Sequence, residues 1–236
     1  MLFSYSRLKL YETCKLRFYY KYILNLSDHV TAPLALGKAV HHAIESIIKG
    51  IDLQTAIIEG YAACDFHPEV SFKEISHLVE NAPVFKNMGD TEVYFCFPLS
   101  DTPNAPKIQG FIDLVQDGKL VDWKSNWRTY GVLDNHQVGL YAMALSKIQK
   151  KEWIEGSLYF LRYKQEKKYF FSPLEMEQGR TWALRLAEEI NFKLQLLDIM
   201  PEKVKEIFPY APSFSCSHCP FVLRCYQDNQ TITERS

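Results

Sequence analysis

Two aspartates and a lysine stand in the segment Gly110-Phe111-Ile112-Asp113-Leu114-Val115-Gln116-Asp117-Gly118-Lys119-Leu120-Val121-Asp122-Trp123-Lys124. Asp117-Gly118 between two apolar runs predicts a two-residue hairpin turn. Gln116 then pairs with Lys119, and counting back sets Asp113 opposite Asp122. Their Cβ atoms would lie roughly 4.5–5.5 Å apart on one face, where like charges repel. Something positive should sit between them. Lys124 shares the face of Asp122, because strand side chains alternate. Two carboxylates and an ammonium around a hard cation make a site for activating water against a phosphodiester. The competing reading is a solvated hairpin face that carries these charges by chance. The apolar flanks Phe111, Ile112, Leu114, Val115, Leu120, Val121 and Trp123 speak against it. A ribbon apolar on both faces is usually central in a sheet.

Helices and further strands must hold that hairpin. Ser4 can cap a helix over 4–22, striped by Leu8, Tyr11, Cys14, Phe18 and Tyr22. A second helix is predicted over 33–48, with Leu36, Val40, Ala43 and Ile47 as its apolar stripe and Gly50 as its stop. Others follow over 53–64 and, more weakly, 71–81. The period then changes to that of strands, over 91–97 and through the hairpin at 107–115 and 119–124. A helix over 133–150, strands over 154–163 and 168–171, and a long helix opened by Ser172-Pro173 complete the pattern. The tail over 208–226, with Pro209, Pro212 and Pro220, reads as a loop. This order predicts an α/β chain: a mixed β-sheet flanked by helices, with a helical N-terminal part.

Gly37, His41 and Glu45 recur every four residues on the second helix, beside its apolar stripe. That spacing lets His41 look into a site, though a lone histidine is more often a structural hydrogen-bonding group. Gly37 would let a ligand or backbone approach closely. Gln137 and Tyr141 lie one turn apart on the helix after the hairpin, placed either to hold a phosphate or base or simply to pack. In the tail, Cys216-x2-Cys219-x5-Cys225 has the short spacing with which thiolates converge on a metal. Cys14 is the natural fourth ligand, with Cys64, Cys96 and His218 as rivals. Zinc and an iron–sulfur cluster both suit four thiolates. Cys64 and Cys96 otherwise read as core residues.

Composition narrows the classes. In 236 residues, 27 Lys and Arg against 28 Asp and Glu give a formal charge of −1, so any nucleic-acid contact must use a local patch. No run of 18 apolar residues suggests a membrane span. The first residues lack the basic-then-apolar form of a signal peptide, which predicts a cytoplasmic protein. Six cysteines in a chain of this length do not suggest a secreted disulfide scaffold.

Taken in order, these pieces resemble the PD-(D/E)XK nuclease superfamily: the helix with Cys14, Gly37-x3-His41, Gly110-x2-Asp113, Asp122-x-Lys124, Gln137-x3-Tyr141 and the cysteine triplet. The nearest likeness is to its RecB-like branch with an iron–sulfur cluster, the AddB nuclease domain and the CRISPR-associated RecB-like exonucleases. Ile112 stands where the superfamily name has proline, Asp122 where many members have Glu, and Lys15 where proline often follows the first cysteine. The resemblance implies a restriction-endonuclease-like fold in a single nuclease domain, 1–236. Its parts would be helical over 1–88, the α/β core over 89–200 and an iron–sulfur tail over 201–236 completed by Cys14.

In the roles so implied, Mg²⁺ or Mn²⁺ is held by His41, Asp113, Asp122 and the carbonyl of Trp123. Lys124 joins the two aspartates in catalysis and activates the water, and Gln137 and Tyr141 serve the site or the DNA. Cys14, Cys216, Cys219 and Cys225 hold a 4Fe–4S cluster. The implied activity is exonucleolytic, on single-stranded DNA or DNA ends, in recombination and repair or CRISPR adaptation, with a helicase or integrase complex as partner. Arg17, Tyr20, Lys21, Arg162, Tyr163 and Lys164 could line a strand path by stacking and phosphate contact, or be core aromatics with solvated charges. A non-catalytic protein that binds DNA ends is the alternative, and a zinc-ribbon interaction protein a third reading.

Overall fold

Asp117-Gly118 makes the predicted turn. In the computed structural model, which describes residues 1–230, Gly118 has φ +70, a left-handed conformation that glycine adopts without strain. Gln116, Val115 and Leu114 pair with Lys119, Leu120 and Val121 in the anticipated register. The turn is clasped from outside. The Gly118 N–H donates to Gln149 Oε1 at 2.8 Å, and Gln149 Nε2 donates to the Gln116 carbonyl at 3.0 Å.

In chain order the elements are β1 (Leu2–Phe3), α1 (Tyr5–Thr13), α2 (Lys15–Phe18), α3 (Ala32–Ile48), α4 (Leu53–Ala63), α5 (Phe72–Glu80) and β2 (Asp90–Pro98). The hairpin strands β3 (Lys107–Gln116) and β4 (Lys119–Lys124) follow, then α6 (Gln137–Gln149), β5 (Ile154–Phe160) and β6 (Gln165–Phe171). Last come α7 (Pro173–Ile199), α8 (Val204–Ile207) and α9 (Val222–Gln230). The strands form a six-stranded mixed sheet in the order β1-β3-β4-β5-β6, with β2 also paired to β3. β4 and β5 run parallel, β3–β4 and β5–β6 antiparallel. This is the mixed sheet flanked by helices that the order of elements predicts. No helix among the described residues is long and apolar enough to cross a membrane.

The chain divides into two compact units. The larger comprises Val30–Phe97 and Gln109–Trp182. Its core gathers Leu36, Val40, Ala43, Ile44 and Ile48 of α3 around Ile57, Ile75, Leu78, Leu114, Val121 and Trp123. Each large aliphatic side chain so buried contributes about 1.5–3 kcal/mol. Asp52 and Ser71 cap α4 and α5 through their side chains. α4 lies against α3 so closely that a Cβ on Gly60 would stand 2.3 Å from the Ala39 carbonyl oxygen.

Three expectations in this unit need correction. The helix predicted from 133 starts at Gln137, because Val132–Asp134 winds as a 3-10 turn. There the Asp134 side chain takes the Gly131 N–H and Asn135 Oδ1 takes that of Gln137, an alternative these residues offer the backbone. The strand predicted over 154–163 ends at Phe160, where Leu161–Tyr163 form another 3-10 turn and Lys164 turns left-handed at φ 49. Cys96 is exposed on β2, not core, while Cys64 is buried.

The smaller unit comprises Met1–His29, Pro98–Ile108 and the described residues from Ala183 onward. The single helix predicted over 4–22 is three pieces. Cys14 is extended, with φ −157 and ψ 110, between α1 and α2, and Tyr19–Ile23 form a π turn. Phe18 packs edge-on to Tyr11 and stacks on Phe208. The tail is more regular than its prolines suggest, with a 3-10 turn at Phe214–His218 and then α9. Pro209 and Pro212 precede the 3-10 turn and Pro220 precedes α9, so none interrupts a helical ladder.

Candidate active site

Three elements of the larger unit converge on one point. α3 supplies His41, the hairpin supplies Asp113, Asp122, Trp123 and Lys124, and α6 supplies Gln137 and Tyr141. Asp113 Oδ2 accepts the Trp123 N–H at 2.7 Å and lies 3.4 Å from His41 Nδ1. His41 Nε2 is 2.9 Å from the Trp123 carbonyl oxygen. That oxygen can only accept, so Nε2 carries the proton. Across the hairpin, Lys124 Nζ lies 2.5 Å from Asp122 Oδ2. The Gln137 side chain bridges the pair: Nζ donates to its Oε1 at 3.0 Å, and its Nε2 donates to Asp122 Oδ1 at 3.0 Å. Tyr141 OH is 3.4 Å from the same Nε2. The positive group demanded between the two carboxylates is thus present twice, as His41 beside Asp113 and as Lys124 beside Asp122.

Glu92 on β2 belongs to the same place and was not anticipated. Ligand atoms of His41, Glu92 and Asp113 all lie within 4.8 Å of one another. Glu92 is left-handed at φ 49, uncommon for a residue other than glycine inside a strand. Gly110 serves the site sterically: a Cβ there would meet the Phe95 ring at 2.7 Å and the Tyr141 ring at 3.3 Å. At Gly37 no other part of the protein crowds the backbone, since a Cβ would make only ordinary contact with Ser125, and the residue lines a cavity with His41 and Glu92.

A family model described as the PD-(D/E)XK nuclease superfamily matches residues 2–226. The chain belongs to the PD-(D/E)XK nuclease superfamily. A solved structure described as "Crystal structure of SSO0001" is 15% identical over 92% of each chain, with a TM-score of 0.34, too low to carry an argument. No curated protein matches. Superfamily membership implies a metal-dependent nuclease with DNA as substrate.

The electrostatics of this nuclease suit that chemistry. Burial works against charge on His41, but Asp113 and then Asp122 outweigh it and lift its pKa to about 9. Asp113 is held below the usual carboxylate range: burial opposes this, and the charge and hydrogen bonding of His41 prevail. Asp122, 2% exposed, is pushed up by burial despite Lys124. Lys124 is raised: burial lowers it, and the Asp122 charge outweighs the loss. Glu92 is raised by burial and by Asp113. Without a metal, the imidazolium of His41 neutralises the carboxylates. The donor set of carboxylates, imidazole and carbonyl is the kind that holds a divalent cation.

In the smaller unit, Cys14, Cys216, Cys219 and Cys225 line one cavity of about 40 Å³ with Leu16, Tyr20 and Phe221. The extended break at Cys14 separates α1 from α2 at this wall. Burial raises the thiol pKa of Cys219 and Cys225, and the neighbouring cysteines raise that of Cys225 further. Cys64 and Cys96 belong to the other unit, and neither lines this cavity. Tyr20 does not line a strand path: it is 2% exposed and its hydroxyl donates to Asp228 at 2.7 Å. Lys21 pairs with Asp28 and Arg162 with Glu74.

Proposed function

We propose that this chain is a Mg²⁺- or Mn²⁺-dependent deoxyribonuclease of exonuclease type, acting on single-stranded DNA or DNA ends. The observation that carries the reading is one cluster of His41, Glu92, Asp113 and the Trp123 carbonyl beside a network in which half-buried Lys124 and Gln137 hold buried Asp122. A DNA-end-binding protein without catalysis would need no such set. His41, Asp113, Asp122 and the Trp123 carbonyl would hold the cation, with Glu92 as a further donor. The bound cation supplies charge that polarises a phosphate and lowers the pKa of a water. Lys124, fixed by Asp122 and Gln137, positions that water and offsets developing negative charge. Gln137 and Tyr141 orient the lysine and meet the DNA.

Cys14, Cys216, Cys219 and Cys225 would bind a 4Fe–4S cluster, with zinc the alternative. Their shared apolar cavity supports a metal role. That metal role supports a RecB-like reading, and on it we propose repair or CRISPR adaptation as the setting and a helicase or integrase as the partner. The test is cleavage of end-labelled linear and closed circular single strands with Mn²⁺. Asp113→Asn, Asp122→Asn and Lys124→Ala should abolish cleavage, Lys124→Ala should still bind Mn²⁺, and circles should outlast linear strands. Full activity in either aspartate variant would remove the site assignment, and circles cut as fast as linear strands would indicate an endonuclease.

A further inference from the structure

Three residues past Lys124 stands Trp127, and it is 72% exposed. An indole gains much from burial, so one held out in solvent beside a site asks for a partner. Its loop is well tied. Arg162 Nε donates to the Ser125 carbonyl at 2.7 Å, the Asn126 amide donates to the Arg128 carbonyl, and Tyr163 OH donates to the Trp127 carbonyl at 2.5 Å. The ring itself is backed. The Arg162 guanidinium carbon lies 3.7 Å from the indole centre, a cation–π contact. That guanidinium is anchored in turn, 2.7 Å from Glu74, with its side chain only 10% exposed.

Trp127 also lines two cavities. One of about 310 Å³ includes Pro33, Val70 and Asn126, and one of about 580 Å³ includes Arg128, Thr129 and Gln165. The second offers a guanidinium and neutral polar groups around the ring, the chemistry that suits a base and its phosphate. Three extended residues reach at most roughly 11 Å, so the Trp127 Cα lies within that distance of the Lys124 Cα.

We infer that Trp127 is a stacking platform for one base of single-stranded DNA at the edge of the nuclease site. The inference rests on the nuclease reading, because that reading supplies the strand. A duplex keeps its base faces stacked on one another, whereas a single strand offers them to an aromatic ring without regard to sequence. A ring that merely shields the Arg162–Glu74 pair would not distinguish a base from its absence.

That difference is the test. Binding of a labelled oligothymidylate, and of the same strand built from abasic nucleotides, is measured by anisotropy in EDTA, where nothing is cut. Trp127→Ala should weaken the thymidylate by about 5- to 150-fold, the span for removal of a stacking ring. It should bind the abasic strand as the wild type does. Trp127→Phe should recover most of the affinity, and Trp127→Leu, equally apolar but without a π face, should not. Circular dichroism melts show which variants fold, and quenching of wild-type tryptophan fluorescence by thymidylate gives a readout free of mutation. Equal losses on both strands, unchanged thymidylate affinity in Trp127→Ala, or no binding by the wild type would each overturn the platform. If this pattern holds while wild type with Mn²⁺ cuts nothing, the nuclease reading fails and the platform stands.

Discussion

His41 should behave as a cation when the site is empty and as a neutral ligand when it is filled. Its pKa rises from 6.5 in the unfolded chain to about 9 in the folded, metal-free protein. A gap of about 2.5 units at 1.36 kcal/mol each is worth about 3 kcal/mol of folding stability. The folded value is the higher one. The contribution is therefore complete below about pH 6.5, shrinks as pH rises toward 9, and is gone above it. Urea unfolding in EDTA at pH 6 and pH 9.5, for wild type and His41→Gln, should show the wild-type advantage fall by about 3 kcal/mol. Metal binding has the opposite slope. Mn²⁺ needs the neutral ring, so affinity should rise about tenfold per pH unit up to 9. Near pH 7 calorimetry in buffers of different ionisation enthalpy should count about one proton released per ion. A histidine that titrates near 6.5, by NMR of the metal-free protein, would refute the argument.

Glu92→Gln should weaken Mn²⁺ binding by about tenfold or more in calorimetry, since it removes one charged donor from the cluster. Gly60→Ala should destabilise by about 1–3 kcal/mol in chemical denaturation, because its Cβ would meet the Ala39 carbonyl and that clash outweighs the gain in helix propensity. On the proposed cluster, Cys14→Ala should abolish iron binding and lower the melting temperature, while Cys96→Ala should leave iron content unchanged, as read by iron analysis and visible absorbance.

The hairpin was the most legible part of the molecule. Asp117-Gly118 and the flanking apolar runs dictate turn and register locally, so the relation of Asp113, Asp122 and Lys124 could be counted off. The second helix was equally clear, and its periodicity put His41 beside the buried stripe. Glu92 was invisible for a physical reason. It reaches the cluster through a left-handed backbone in β2, which period-two counting cannot foresee. The break at Cys14 was hidden too, since the apolar stripe runs on through α1 and α2 as if the helix were continuous. The helix after the hairpin was overextended because Asp134 and Asn135 use their side chains on the backbone, which apolar spacing does not record.

The clasp of α6 on the hairpin turn bears on the order in which the molecule assembles. Asp113, Asp122, Lys124, Gln137 and Tyr141 come from one contiguous stretch, tied at its far end by Gln149 to Gln116 and Gly118. Contacts between near neighbours in sequence close quickly, because little chain must be looped out. His41 joins that stretch from 72 residues before Asp113, and Glu92 from an intervening strand. In refolding the lysine side of the site can thus close over short loops, while the metal side needs the distant helix. Until α3 and β2 dock on that stretch, His41 and Glu92 are away from the aspartates, and a partly folded chain is disarmed.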